Sequence, residues 1–430
     1  MVADRWSGWV AAVLLAGCLG GGARAADEAA TLYVNGRVWT GDRFETRPLA
    51  VAGGRFVDPA RGRGATRVDL AGRWVVPAYA NAHAHITDAT DKASARYLTD
   101  GVFYVWNPNT VTMSAASKAF FARPDTYDVK IAQGGITERG GHPERLYVDY
   151  LAAVVYDKRP REWFVGNAFH YGETRAEIDA SLDRLRAQGA DFVKAYLLHS
   201  EDWAARRGDK KFYGQRGLDP RNMPYLVKAA RRRGLWVAAH VETAADLRVA
   251  AASGVAVAAH VPGYNEPIEE AGGSTNRLTD ADARAVARSG MALVPTYSVA
   301  ADRLEADAKA GRVDAKLRDA TFALQRDNLR RLKAAGVRLL VGTDGWGPIF
   351  GEPERWVALG AFTPVEAARA TFATGARLFP DRRIGCFARG CEADFLVLDG
   401  DPTADITALR RIARRVKAGR AVEAAASPAS

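Results

Sequence analysis

Eight short apolar runs, each followed by enough chain for a helix, constrain this sequence more than any other feature. They lie at residues 75–82, 101–106, 128–133, 191–197, 235–241, 255–261, 292–298 and 338–343. The runs are rich in Val, Ala and Leu and apolar on both faces, which suits parallel strands covered by helices. Helix starts fall between them. Thr174-x-x-Glu177 reads as a capping box whose helix closes at Gly189, and Thr363-Pro364-Val365-Glu366 repeats the device with proline at the first helical position. Eight such units between residues 78 and 383 predict an α/β chain folded as a (β/α)8 TIM barrel, which takes about 250 residues. The surplus falls at 136–190 and is expected to cover the barrel mouth.

Both chain ends are β-rich instead. Thr31 to Trp39 is a strand–turn–strand signal with Asn35-Gly36 at the turn, and Phe395 to Leu398 is a strand followed by Asp399-Gly400. Of the 430 residues 48% are hydrophobic and 26% charged, which excludes a disordered chain. The net charge of +10 is spread out. Its densest runs, Arg231-Arg232-Arg233 and Arg410-Arg411 with Arg414-Arg415, read as solvated helix faces or ends. Neither zinc-finger spacing nor an aromatic–basic motif accompanies them, so a nucleic-acid partner is not expected.

Residues 1–25 read as an export signal. Arg5 precedes an apolar stretch, Trp9 to Leu19, too short for a stable membrane anchor. Ala23-Arg24-Ala25 offers ordinary signal cleavage, whereas Leu15-Ala16-Gly17-Cys18 resembles a lipobox that would leave Cys18 as a lipid anchor. Either route leads to the periplasm. Cys386 and Cys391 are close enough in sequence for a turn to bring them within disulfide range, and an oxidising compartment would preserve the bond. Two free thiols beside a hairpin are the alternative.

A (β/α)8 barrel carries its chemistry at the C-terminal ends of its strands. His83 and His85 end the first run, and strand alternation turns both imidazoles to one side. His240 ends the fifth run, His260 the sixth, and Asp344 the eighth. One His-x-His is a weak signal; ligand-type residues on five of eight runs, counting Lys194 on the fourth, are a strong one. Lys194 lies inside the fourth run, where a lysine is costly unless paired or modified. Burial lowers its ordinary pKa of about 10.4. A neutral amine can take up carbon dioxide as a carbamate whose two oxygens bridge two cations; a salt-bridged lysine is the alternative. His142, Tyr196 and Tyr297 are candidates for substrate contact, against a surface turn for the histidine and core packing for the tyrosines. His170 and His199 read as surface residues.

These residues resemble the amidohydrolase superfamily, its imidazolonepropionase-like and prolidase-like branch, over about residues 31–425. Thr363-Pro364-Val365-Glu366-Ala367-Ala368 and Ala393-Asp394-Phe395-Leu396-Val397-Leu398 belong to the likeness. It implies a barrel at 78–383 and one small β-sandwich built from 26–77 and 384–425. It also implies two divalent metal ions, with zinc suiting the imidazole-rich set best. His83, His85 and Asp344 would hold one ion and His240 and His260 the other, with carbamylated Lys194 and a hydroxide between them. Asp344 would take the hydroxide proton and deliver it to the leaving group. The family often has Gly and Asp where this chain has Ala78 and Asn81, which bears on metal affinity.

The expected activity is hydrolysis of a C–N bond in a small exported substrate, such as a dipeptide or an N-acyl amino acid. A lactonase and a metal-dependent deaminase are the rivals. Family deaminases carry a Glu three residues after the fifth-strand histidine, and this chain has Thr243 there. A non-catalytic, metal-stabilised binding protein is disfavoured, because a structural site needs no open coordination position. A homo-oligomer is compatible with the sequence.

Overall fold

The computed structural model describes residues 30–62, 64–86, 89–264, 273–345 and 347–423. The expected export segment and Cys18 lie outside them. Among the described residues no helix is long and apolar enough to cross a membrane.

Seven strands open the chain: β1 (Thr31–Val34), β2 (Arg37–Trp39), β3 (Phe44–Thr46), β4 (Leu49–Ala52), β5 (Arg55–Val57), β6 (Thr66–Asp69) and β7 (Trp74–Pro77). The central strands are β8 (Tyr79–Asn81), β9 (Val102–Asn107), β10 (Asp128–Ile131), β11 (Gly135–Thr137), β12 (Phe169–Tyr171), β13 (Val193–Tyr196), β14 (Val237–His240), β15 (Val257–Ala259) and β16 (Ala292–Val294). The chain closes with β17 (Phe395–Leu398), β18 (Ile412–Lys417) and β19 (Arg420–Ala421).

The two chain ends share a six-stranded sheet, ordered β19-β18-β17-β7-β2-β3. A four-stranded sheet, β5-β4-β1-β6, faces it. Phe395 of β17 joins the two, its ring centroid 5.2 Å from that of Tyr33 and 5.8 Å from that of Phe56. Cys386 and Cys391 form a disulfide, with Cα atoms 5.9 Å apart. The turn it closes is tied to β5 by the bond from Phe56 N to Cys391 O.

All central pairings are parallel. One sheet runs β8-β9-β10, the other β12-β11-β13-β14-β15-β16, with helices between successive strands except β10 and β11. Backbone bonds continue past both edges. Asp191 N donates to Ile131 O at 2.8 Å, and Leu340 N to Leu293 O at 2.8 Å. Ala82 N donates to Val341 O at 2.9 Å, which returns the path to the strand where it began. Phe192 and Trp236 stack with centroids 4.3 Å apart, and Trp106 lies 4.8 Å from Trp236. Burial of each such side chain contributes about 1.5–3 kcal/mol.

Three expected runs differ in detail. The first, 75–82, divides at Ala78: β7 pairs antiparallel with β17, whereas β8 pairs parallel with β9. Apolar character alone cannot say which neighbour a strand segment takes. The third run ends at Ile131, turns through Gln133 at φ 61°, and pairs again as β11. There Gly135 leaves room for the Tyr196 ring, which a Cβ would approach to 2.3 Å. The eighth run makes one β-bridge, Leu293 with Leu339, in place of a ladder. The surplus segment adds β12 beside β11. It also has an apolar cluster of its own, around Tyr147, Ala152, Phe164, Ala168 and Phe169.

Candidate metal centre

Asn81, at the end of β8, fastens the first and eighth runs together. Its Oδ1 accepts from His83 N at 3.0 Å and Thr343 N at 3.2 Å, and its Nδ2 donates to Thr343 Oγ1 at 2.9 Å. A carboxylate here could not donate to Thr343 and could only accept from its hydroxyl. Gly342 allows the close approach, since a Cβ would stand 2.8 Å from His83 N. Asp344 then follows with φ 54°, its N donating to His83 O at 2.8 Å.

The outcome is a tight set of three side chains. His83 Nε2 and His85 Nε2 each lie 3.0 Å from Asp344 Oδ1 and 3.2 Å from each other. His85 Nδ1 is 2.9 Å from the carbonyl oxygen of Asn109, which can only accept. The Nδ1 proton is thereby assigned, and in the neutral ring Nε2 carries a lone pair that faces a carboxylate oxygen. Two acceptors at that distance repel unless a proton or a metal ion stands between them. The donor set fits a divalent metal ion, and these three residues are the cluster among the described residues that could hold one.

A second group adjoins it. The His260 ring lies 4.8 Å from that of His83 and 4.7 Å from that of His240. Its Nε2 is 3.8 Å from Asp344 Oδ2, so the one carboxylate reaches both groups. Lys194, 1% exposed, points its ammonium along the Tyr196 ring, 5.5 Å from the centroid. Burial pushes its pKa down to about 7, against the opposing charge of Asp344. Burial likewise lowers His83 to about 3, with Lys194 adding to the effect and Asp344 opposing it. His240 and His260 are held well below the ordinary histidine range, chiefly by burial. Burial raises the Asp344 carboxyl, but His83 and His260 outweigh it and leave the group well below the usual range. At neutral pH His83, His240 and His260 are thus neutral imidazoles, the state that metal ligation needs.

Of the substrate candidates, His142 and Tyr196 join this group. The His142 ring stacks on His240 at 4.9 Å and meets Tyr196 at 5.1 Å. Tyr297 is fully buried and gives its hydroxyl to Pro262 O at 3.1 Å. One expectation is corrected. His170 is 2% exposed, because β12 buries it against the parallel ladder. His199 is half-buried at φ 52°, with its Nδ1 3.7 Å from Glu201 and its backbone held by Asp246.

Sequence reasoning missed Glu242 and Tyr264. Glu242 Oε1 lies 2.8 Å from His240 Nε2 and accepts from Tyr264 OH at 3.2 Å. The i, i+2 spacing of His240 and Glu242 puts both on one side of an extended chain and was a readable signal. Tyr264, stacked on His260 at 3.8 Å, has no such signal, because it reaches the site from the loop after β15.

The profile described as "Amidohydrolase family" matches residues 170–422, more than half of the chain. The chain belongs to the amidohydrolase family. It is a hydrolase acting on carbon–nitrogen bonds, as this family is. This amidohydrolase resembles a solved Xaa-Pro dipeptidase with methionine bound in its active site, at 19% identity and TM-score 0.68 over 92% of this chain and 100% of that one. It also resembles the A. niger ochratoxinase, at 20% identity and TM-score 0.68 over 92% and 96%. For molinate hydrolase the values are 17% and 0.70 over 92% and 95%. At these identities the likeness is one of fold. No curated protein matches the amidohydrolase in sequence.

Proposed function

We propose that this amidohydrolase is an exported, binuclear enzyme that hydrolyses the amide or peptide bond of a small substrate, such as a dipeptide or an N-acyl amino acid. The single observation that carries the reading is that His83 Nε2 and His85 Nε2 converge on one oxygen of Asp344, each at 3.0 Å. The hydrogen-bonded path through β8–β16 and residues 338–341 supports a (β/α)8 barrel at 78–383. The two outer sheets support a β-sandwich from 26–77 and 384–425.

His83, His85 and Asp344 would hold one divalent ion and His240 and His260 a second, with a carbamate on Lys194 between them. Zinc suits the imidazole-rich set. When bound, such a pair supplies an activated water at neutral pH and polarises a carbonyl. Asp344 moves the proton: its Oδ atoms face both histidine groups, and a carboxylate there can accept a water proton and return it to the leaving nitrogen. The rings of His142 and Tyr196 pack beside His240, where they would orient the substrate. Structural likeness to a Xaa-Pro dipeptidase and to phenylurea hydrolase B supports a small C–N substrate.

Glu242 beside His240 favours one second reading, deamination, with Glu242 as proton carrier. A panel of dipeptides, N-acyl amino acids and lactones with added zinc, run beside metal analysis, decides. Two zinc ions per chain with dipeptide or N-acyl hydrolysis support the first reading. One metal with ammonia release supports the second, and lactone turnover alone refutes both. Mass spectrometry of the mature N-terminus separates a free periplasmic form from one anchored at Cys18.

A further inference from the structure

Backbone strain gathers at this site. Thr296 has φ 55° and is fully buried. A β-branched residue is a genuine outlier in that region, where glycine would sit at ease. His260, with φ 149°, and Asp344, with φ 54°, are strained beside it. The surroundings hold Thr296 in place. Tyr297 N and Ser298 N donate to the buried Glu352 carboxylate at 3.0 and 2.7 Å, and Trp356 Nε1 fixes that carboxylate at 2.8 Å. Strain kept in this way calls for something that threonine provides and glycine lacks.

The hydroxyl is that something. Thr296 Oγ1 lies 2.7 Å from Pro295 O and 2.6 Å from His260 Nδ1. A carbonyl oxygen only accepts, so the single hydroxyl proton goes to Pro295. Toward His260 the oxygen is then an acceptor, and Nδ1 must carry the ring proton. Nε2 is left with its lone pair, aimed at the side of Asp344 Oδ2, 3.8 Å away. Tyr264, stacked at 3.8 Å and 8°, keeps the ring from turning away.

We infer that Thr296 is a positioning residue for His260: its strained backbone delivers a hydroxyl that selects the Nδ1–H tautomer and presents Nε2 as a ligand. The inference rests on the reading of His260 as a metal ligand. Two measurements test it. In the metal-stripped wild type, ¹⁵N NMR of the histidine rings should show His260 protonated at Nδ1. In zinc titrations, Thr296→Ser should keep both affinities. Thr296→Gly, free of strain at this φ, should weaken one site about 10–100-fold and leave the other unchanged. An Nε2–H tautomer overturns the inference. So does a Thr296→Gly protein with both affinities intact, or a Thr296→Ser protein as weak as Thr296→Gly. If Thr296→Gly does not fold, the wild-type tautomer and Thr296→Ser decide. A wild type that binds no zinc overturns the metal reading itself, and the tautomer alone then decides the role of Thr296.

Discussion

An imidazole can hold a cation only while it is neutral, and burial imposes that state on the inner histidines. His142 shows the effect most measurably. Burial, reinforced by His240, lowers its pKa from 6.5 to about 3. Between those values the unfolded chain binds more protons than the folded one, so stability rises with pH and is lost on acidification. In metal-stripped protein, the fall of the unfolding midpoint from pH 6.5 to 4 should be shallower for His142→Gln than for the wild type; equal slopes would contradict the assignment. Asp344 does different work, as the one carboxylate that faces both groups of histidines. Asp344→Asn keeps an oxygen and loses the basic site. It should retain metal while kcat drops by about 100-fold or more, checked by metal analysis and turnover on one sample.

Elements place these residues, and the start of the helix at Ala244–Ser253 is the most telling case. Thr243 accepts from Asp246 N and Asp246 accepts from Thr243 N, which makes a capping box. Thr243, at the position where a deaminase carries its glutamate, is therefore occupied in starting a helix. Asp246 is fully buried and also accepts from Glu242 N, His199 N, Ser200 N and Ser200 Oγ. It ties the ends of β13 and β14 together and so places Glu242 against His240. Asp246→Ala leaves those donors buried and unmet, at a cost of about 3 kcal/mol. Thermal unfolding should show this loss, and Asp246→Asn should recover part of it; an unchanged midpoint would show that water replaces the carboxylate.

At the scale of the molecule, the inner and outer sheets meet through charge. Asp128 of β10 binds Arg382 at 2.6 Å and Lys417 of β18 at 3.0 Å, and Arg382 also binds Glu392 at 2.5 Å. Lys417 is 6% exposed, so Asp128→Ala strands a buried cation. The expected loss is roughly 3 kcal/mol, read as a lower unfolding midpoint with metal content unchanged. A variant that also lost metal would mean the two parts do not behave separately. Much of this architecture is legible in the chain, because a strand buried on both faces must be apolar and a helix must be capped. The capping boxes at Thr174 and Thr363 lie where the spacing puts them. The division at Ala78 is not legible, since β7 and β8 are equally apolar and differ only in their neighbours. Nor is the approach of His142 to His240, which depends on the path of a long loop.

What the amino-acid order decides here is local: which segments are strands, where helices begin, and which ligand-type side chains fall at strand ends. The tertiary structure alone decides which of those side chains meet. It sets His85 against Asn109, gives His260 its Thr296, brings Tyr264 onto the His260 ring and buries His170. The physical reason is range. Strand period and helix caps act between residues a few positions apart, whereas a tautomer, a depressed pKa or a strained φ is set by groups that only the packed chain brings together.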